Sequence, residues 1–169
     1  MRKLNLGCGA DIREGWVNAD YPYSCLREGP APVELVWGEV WPWGQEFDVV
    51  LLSYVLNHVP LGEVGGLLRR VREVMVPSGV LVIVDQDVRW YFETGTGHSG
   101  LPVCEDDPVV GGLVPHSDSS QWNTYPERVA HYCRVFFRDI EIPAVGGGGG
   151  EEWGPGPAGS FTVLCRDPM

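Results

Sequence analysis

Residues 4–9 read LNLGCG, and residues 16–21 read WVNADY. The first stretch is an apolar strand that runs into two glycines flanking a cysteine. The second is a short apolar run that ends on an acid, Asp20. Three chemistries use glycines after a strand: a phosphate cradle, a metal knot and a nucleoside pocket. A dinucleotide site calls for GxGxxG, whose third glycine lets a helix approach the strand. Here the run from Gly7 is GCGADI, so Ile12 stands where that glycine belongs. A Walker A loop needs Lys followed by Ser or Thr, and the only lysine is Lys3. No metal-ligand partner lies near Cys8 in sequence. A ligand without pyrophosphate remains. Glycines let a backbone come close to it and expose N–H groups. A carboxylate at the end of the next strand suits the two hydroxyls of a ribose. The plain alternative, a tight turn beside a surface acid, stays open on these residues alone.

The rest of the chain supplies the frame. Phe47 to Tyr54, FDVVLLSY, is near-continuously apolar, as in a strand buried on both faces of a parallel sheet. In LGEVGGLLRRVREVM, residues 61–75, the apolar positions Leu61, Val64, Leu67, Leu68, Val71, Val74 and Met75 form one helical stripe. Arg69, Arg70, Arg72 and Glu73 fall mostly on its outer side. Pro77-Ser78-Gly79 stops that helix, and GVLVIVDQD, residues 79–87, reads as another buried strand. Strand, helix and strand in so short a space make a right-handed βαβ unit. The expected class is therefore α/β with a mostly parallel sheet. Val33 to Trp37 is a further strand candidate, and 139–145 and 160–167 read as two late strands. Thr124-Tyr125-Pro126-Glu127 has the pattern of a capping box ahead of a helix through Val129, Tyr132, Cys133 and Phe136. Residues 88–123 lose periodicity and read as a long substrate-side loop. Residues 145–159 read as a flexible glycine-rich hairpin connection. All 169 residues are expected to form a single domain.

Composition narrows the partners. There are 23 acids against 12 bases, a formal net charge of −11. Such a field repels nucleic acid and anionic membranes, and no run is long enough to span a bilayer. The five cysteines form no CxxC pair, which argues against both a disulfide scaffold and a zinc knuckle. The expectation is a cytoplasmic protein acting on a small molecule, with no metal. The oligomeric state is not written in the sequence.

In order, LNLGCG, GWVNADY, WPWGQEFDVVLLSYVLNHVP and LLRRVREVMVPSGVLVIVDQD resemble the class I S-adenosylmethionine-dependent methyltransferases. The likeness is to the compact, type 11-like branch, spans about residues 3–87, and returns at QWNTYPERVAHYCRVFF. It implies a Rossmann-like sheet of seven strands with the last antiparallel. It implies the cofactor S-adenosylmethionine, its methionine part against Leu6, Gly7, Cys8, Gly9 and Ala10. Asp20 would hold the ribose, Tyr21 the adenosine, and Glu39 and Val40 would lie near the adenine. Ser53 and Tyr54 would line the pocket by the sulfonium, where Tyr54, Trp41 and Trp43 could offer aromatic faces. The candidates for a general base are Asp85, Asp87 and His58. Each also reads as an ordinary strand-end acid or capping histidine. The sequence departs from the family at Asn5, where many members carry an acid, and at Tyr54 and Asn57 in YVLNHV. The helices after the first two strands are reduced. Two functions are thus in view: a methyltransferase of a small or sugar-like acceptor, and a degenerate protein that binds the cofactor or a protein partner without turnover.

Overall fold

A computed structural model describes residues 1–20, 32–35, 39–87, 89, 124–145 and 159–169. The expectations for Tyr21, for most of the 88–123 loop and for the glycine-rich connection fall outside these residues. The described part is a seven-stranded sheet: β1 (Lys3–Leu6), β2 (Val17–Asp20), β3 (Val33–Glu34), β4 (Phe47–Ser53), β5 (Met75–Gln86), β6 (Phe137–Val145) and β7 (Ser160–Pro168). Its spatial order is β3-β2-β1-β4-β5-β7-β6. Strands β1 to β5 pair in parallel, and β7 runs antiparallel to both β5 and β6. This is the α/β sheet with a reversed last strand expected from the apolar runs and the resemblance.

Helices α1 (Leu61–Val74) and α2 (Pro126–Cys133) cover one face. Val64, Leu67, Leu68, Val71 and Val74 of α1 and Val129, Ala130 and Cys133 of α2 join Leu4, Leu6, Val50, Leu52, Leu81 and Ile83 of the sheet in the main core. Strand alternation sends Val49, Leu51, Val82 and Val84 to the opposite face, where Trp16, Tyr54, Val80 and Leu164 pack on them. No helix forms between β1 and β2. Trp16 lies against the sheet there, with Lys3 Nζ 5.1 Å and the Arg13 guanidinium 5.5 Å from its ring.

Three local expectations change. Met75 opens β5 rather than closing α1, because it pairs with Phe47 through an irregular register ahead of Val49–Val80. Thr124 does not cap α2: the N-cap is Tyr125, and the Thr124 hydroxyl donates to the Gln86 carbonyl at 2.7 Å. Proline at the next position forces Tyr125 to an extended backbone, φ −156° and ψ 156°, which turns Thr124 toward β5. The α2 stripe also ends sooner, at Cys133 rather than Phe136.

Candidate functional site

The order of the strands reverses between β1 and β4, and a crevice at the carboxyl ends of strands at such a point is where open α/β sheets take ligands. LNLGCG ends there. Gly7 and Gly9 adopt left-handed φ of 73° and 48°, a region that costs side-chain-bearing residues about 1–2 kcal/mol. Gly7 is also held by space: a Cβ there would lie 2.4 Å from Cγ2 of Val55. The amides of Gly7 and Cys8 donate to the Ala19 carbonyl at 2.8 and 3.1 Å. The Gly9 amide donates to Asp20 Oδ2 at 2.9 Å. So the turn spends these N–H groups on β2 rather than exposing them, and in doing so it brings Asp20, only 5% exposed, against the glycines.

Asn18, which sequence reasoning did not single out, holds the next segment. Its Oδ1 accepts from the Arg13 amide and from Asn5 Nδ2, and its Nδ2 donates to the Arg13 and Trp16 carbonyls. Asn5 is fully buried and also donates to the Asp11 carbonyl at 2.6 Å. Its Oδ1 has no hydrogen-bond partner among the described residues. Leu6 and Cys8 are buried, while Ala10, Glu39 and Val40 are exposed. Trp41 belongs to the main core and meets Trp43 edge-on, with Trp43 in turn against Phe47, so these rings form a packed ladder.

The second group sits at the ends of β4 and β5. Ser53 closes β4 opposite Val84. Tyr54 follows at φ 56°, a strained backbone for a bulky residue. Its amide donates to the Val84 carbonyl at 2.8 Å, and its hydroxyl meets Ser160 Oγ on β7 at 2.5 Å. Burial raises the Tyr54 pKa, the bond to Ser160 opposes this, and the nearby Asp85 charge adds to the rise. Asp85 is fully buried. Its carboxyl accepts the amides of Gln86 at 2.8 Å and Asn57 at 3.2 Å. Burial nevertheless pushes its pKa up to about 7, the amides and the adjacent Thr124 hydroxyl only partly offsetting it. Asp87, two residues on, is committed elsewhere: Arg89 forks onto both its oxygens at 2.9 and 2.6 Å, also reaches Glu127 at 3.1 Å, and lies 5.0 Å from the Tyr125 ring centre. His58, in the 3₁₀ turn Leu56–His58 after β4, is half-buried and donates its amide to the Val55 carbonyl. Ser160 and Arg89 were not singled out by the sequence reading, and Thr124 only as a capping residue, because their partners lie far away in the chain or they follow an unpatterned segment. No group of three or more His, Cys, Asp or Glu able to hold a metal occurs among the described residues.

No family model matches the sequence, and no curated protein matches it. Solved structures do. A methyltransferase dependent on S-adenosylmethionine from Archaeoglobus fulgidus superposes with a TM-score of 0.61 at 15% identity, over 98% of this chain and 85% of that one. A possible histamine N-methyltransferase from Thermotoga maritima gives 0.61 at 13%, over 98% and 82%. The fold is that of the S-adenosylmethionine-dependent methyltransferases. A third such structure, from Methanosarcina mazei, gives a TM-score of 0.55 at 13% identity and covers 98% of this chain and 92% of its own. In the methyltransferase fold the two groups described above occupy the same rim of the sheet. One has the glycine turn with Asp20, the other Tyr54 with Asp85. No described helix is long and apolar enough to cross a membrane.

Proposed function

We propose that this chain is an S-adenosylmethionine-dependent methyltransferase acting on a small-molecule acceptor. The observation that carries the reading is the hydrogen bond from Gly9 to Asp20, which fixes a buried carboxylate at the switch point of the sheet. A carboxylate has about four acceptor positions, and one set at this rim suits the vicinal hydroxyls of a ribose. The residues also suit the amino-acid end of the cofactor. Asn5 Oδ1, buried and without a partner among the described residues, is an acceptor for an ammonium group. It does the work of the acid found in many relatives of the fold, without its charge. Leu6, Cys8 and Ala10 would wall the methionine part, and Glu39 and Val40, with Tyr21, the adenosine.

When bound, the cofactor would supply an electrophilic methyl group on a sulfonium. The protein's own part is to align the acceptor and exclude water. Ser53 and Tyr54 sit where that alignment would occur. Asp85, its pKa raised by burial to about 7, is the candidate proton acceptor, while Asp87 is tied up by Arg89. The net charge of −11 favours small neutral or cationic acceptors over nucleic acid. Cys8, Cys133 and Cys165 form no disulfides, which suits a reducing cytoplasm. Calorimetric titration with S-adenosylhomocysteine tests the reading. Asp20→Asn keeps an oxygen for Gly9 yet loses the charge, and should weaken binding by about tenfold or more. Unchanged affinity would place the nucleoside elsewhere.

A further inference from the structure

Gln86 ends β5 on the sheet face that carries Val82 and Val84, and its register partner on β7 is Ser160. Tyr54 packs on that same face and reaches across β5 to Ser160. The Gln86 side chain is therefore set beside the Tyr54–Ser160 pair, at the rim where the acceptor would meet the methyl group. It is 5% exposed, and its Oε1 has no hydrogen-bond partner among the described residues. A buried amide oxygen left unpaired costs about 1–3 kcal/mol. The main-chain groups of the same residue are, by contrast, both satisfied, the amide by Asp85 and the carbonyl by Thr124. One acceptor is thus held ready for a donor that the described protein does not provide.

We propose that Gln86 and the Tyr54–Ser160 pair form the acceptor subsite, and that the group it takes is an amine. This rests on the methyltransferase reading and narrows its substrate class. An amine offers N–H donors to Gln86 Oε1, and its cationic form is attracted to the face of the Tyr54 ring. A carboxylate or phosphate would set its own oxygens against Oε1. The chain's net charge of −11 would repel it as well. An alcohol satisfies Oε1 but gains nothing from the Tyr54 ring.

The test uses the full chain saturated with S-adenosylhomocysteine and three probes of one shape: benzylamine, benzyl alcohol and benzoate. Benzylamine should bind most tightly. Gln86→Leu should weaken it by about tenfold, the loss of one hydrogen bond to a charged donor, while leaving affinity for S-adenosylhomocysteine unchanged. Gln86→Glu should strengthen benzylamine and not benzyl alcohol. The subsite is overturned if benzylamine fails to bind, if benzoate or the alcohol matches it, or if Gln86→Leu binds it as the wild type does, as it would were Oε1 merely bridged by water. Failure of the wild type to bind S-adenosylhomocysteine would instead overturn the methyltransferase reading itself. Affinity for S-adenosylhomocysteine also reports whether each variant is folded.

Discussion

Replacing Asp85 with asparagine should alter stability in opposite directions at the two ends of the pH range. The carboxyl is fully buried, and its pKa in the folded protein is about 7, against an ordinary 3.8. The folded state therefore holds its proton up to about neutrality, whereas the unfolded chain sheds it above about pH 4. Between those values the unfolded state binds fewer protons, so stability falls as pH rises. Each pH unit of separation is worth about 1.4 kcal/mol, so the wild type gives up about 4 kcal/mol across this window. Asparagine does not titrate and gives up nothing. It has a cost of its own, because the two carboxyl oxygens accept separate amides, from Gln86 and Asn57. Asparagine has one oxygen. With that turned to Gln86, the shorter bond, its NH₂ faces the Asn57 amide and leaves a buried donor unpaired, about 1–3 kcal/mol. At about pH 4.5 the wild type has lost only about 1 kcal/mol, so the variant should be the less stable by about 0–2 kcal/mol, and at about pH 8 the more stable by about 1–3 kcal/mol. Urea unfolding at both pH values reads this directly. Two proteins that differ by the same amount at both would show that Asp85 ionises normally in the fold.

Gly7→Ala combines a left-handed φ with a Cβ 2.4 Å from Val55, and should destabilise by about 2–4 kcal/mol in urea unfolding. Gly66→Ala has open space around its Cβ in mid-helix and should stabilise by about 0.5–1 kcal/mol in the same assay. Arg89→Ala leaves the buried Asp87 without its forked partner, and should lower the thermal midpoint by several degrees while Arg89→Lys recovers part of the loss.

What the sequence could reveal was set by distance along the chain. The strand at 47–53, the α1 stripe and the reversed pair at 137–168 show as local periodicity, because each buries a face that must be apolar. The proximity of Gly9 and Asp20 was legible too, since parallel neighbours β1 and β2 end together. The fate of the turn's amides was not. Whether an N–H faces a ligand or the Ala19 carbonyl depends on how the turn folds back on β2. Tyr54 and Ser160 are 106 residues apart, and nothing in SYVLNH announces a left-handed tyrosine or its partner on β7. Thr124 illustrates a pattern overridden by tertiary context. Its capping-box spacing is real, but the carbonyl at the end of β5 competes for the hydroxyl and wins. The unequal chemistry of Asp85 and Asp87 was likewise hidden, because two acids two residues apart look equivalent until Arg89 pairs with one of them.

The central claim is that the glycine turn, Asn5 and Asp20 together hold a nucleoside with an amino-acid tail. The most direct measurement is an amide proton–nitrogen correlation spectrum of labelled protein titrated with S-adenosylhomocysteine. The account expects saturable movement of the Gly9, Ala10 and Asp20 amides and of the Asn5 carboxamide, with the outer surfaces of α1 and α2 unmoved. A spectrum unchanged at millimolar ligand, or shifts confined to the helical face, would contradict it.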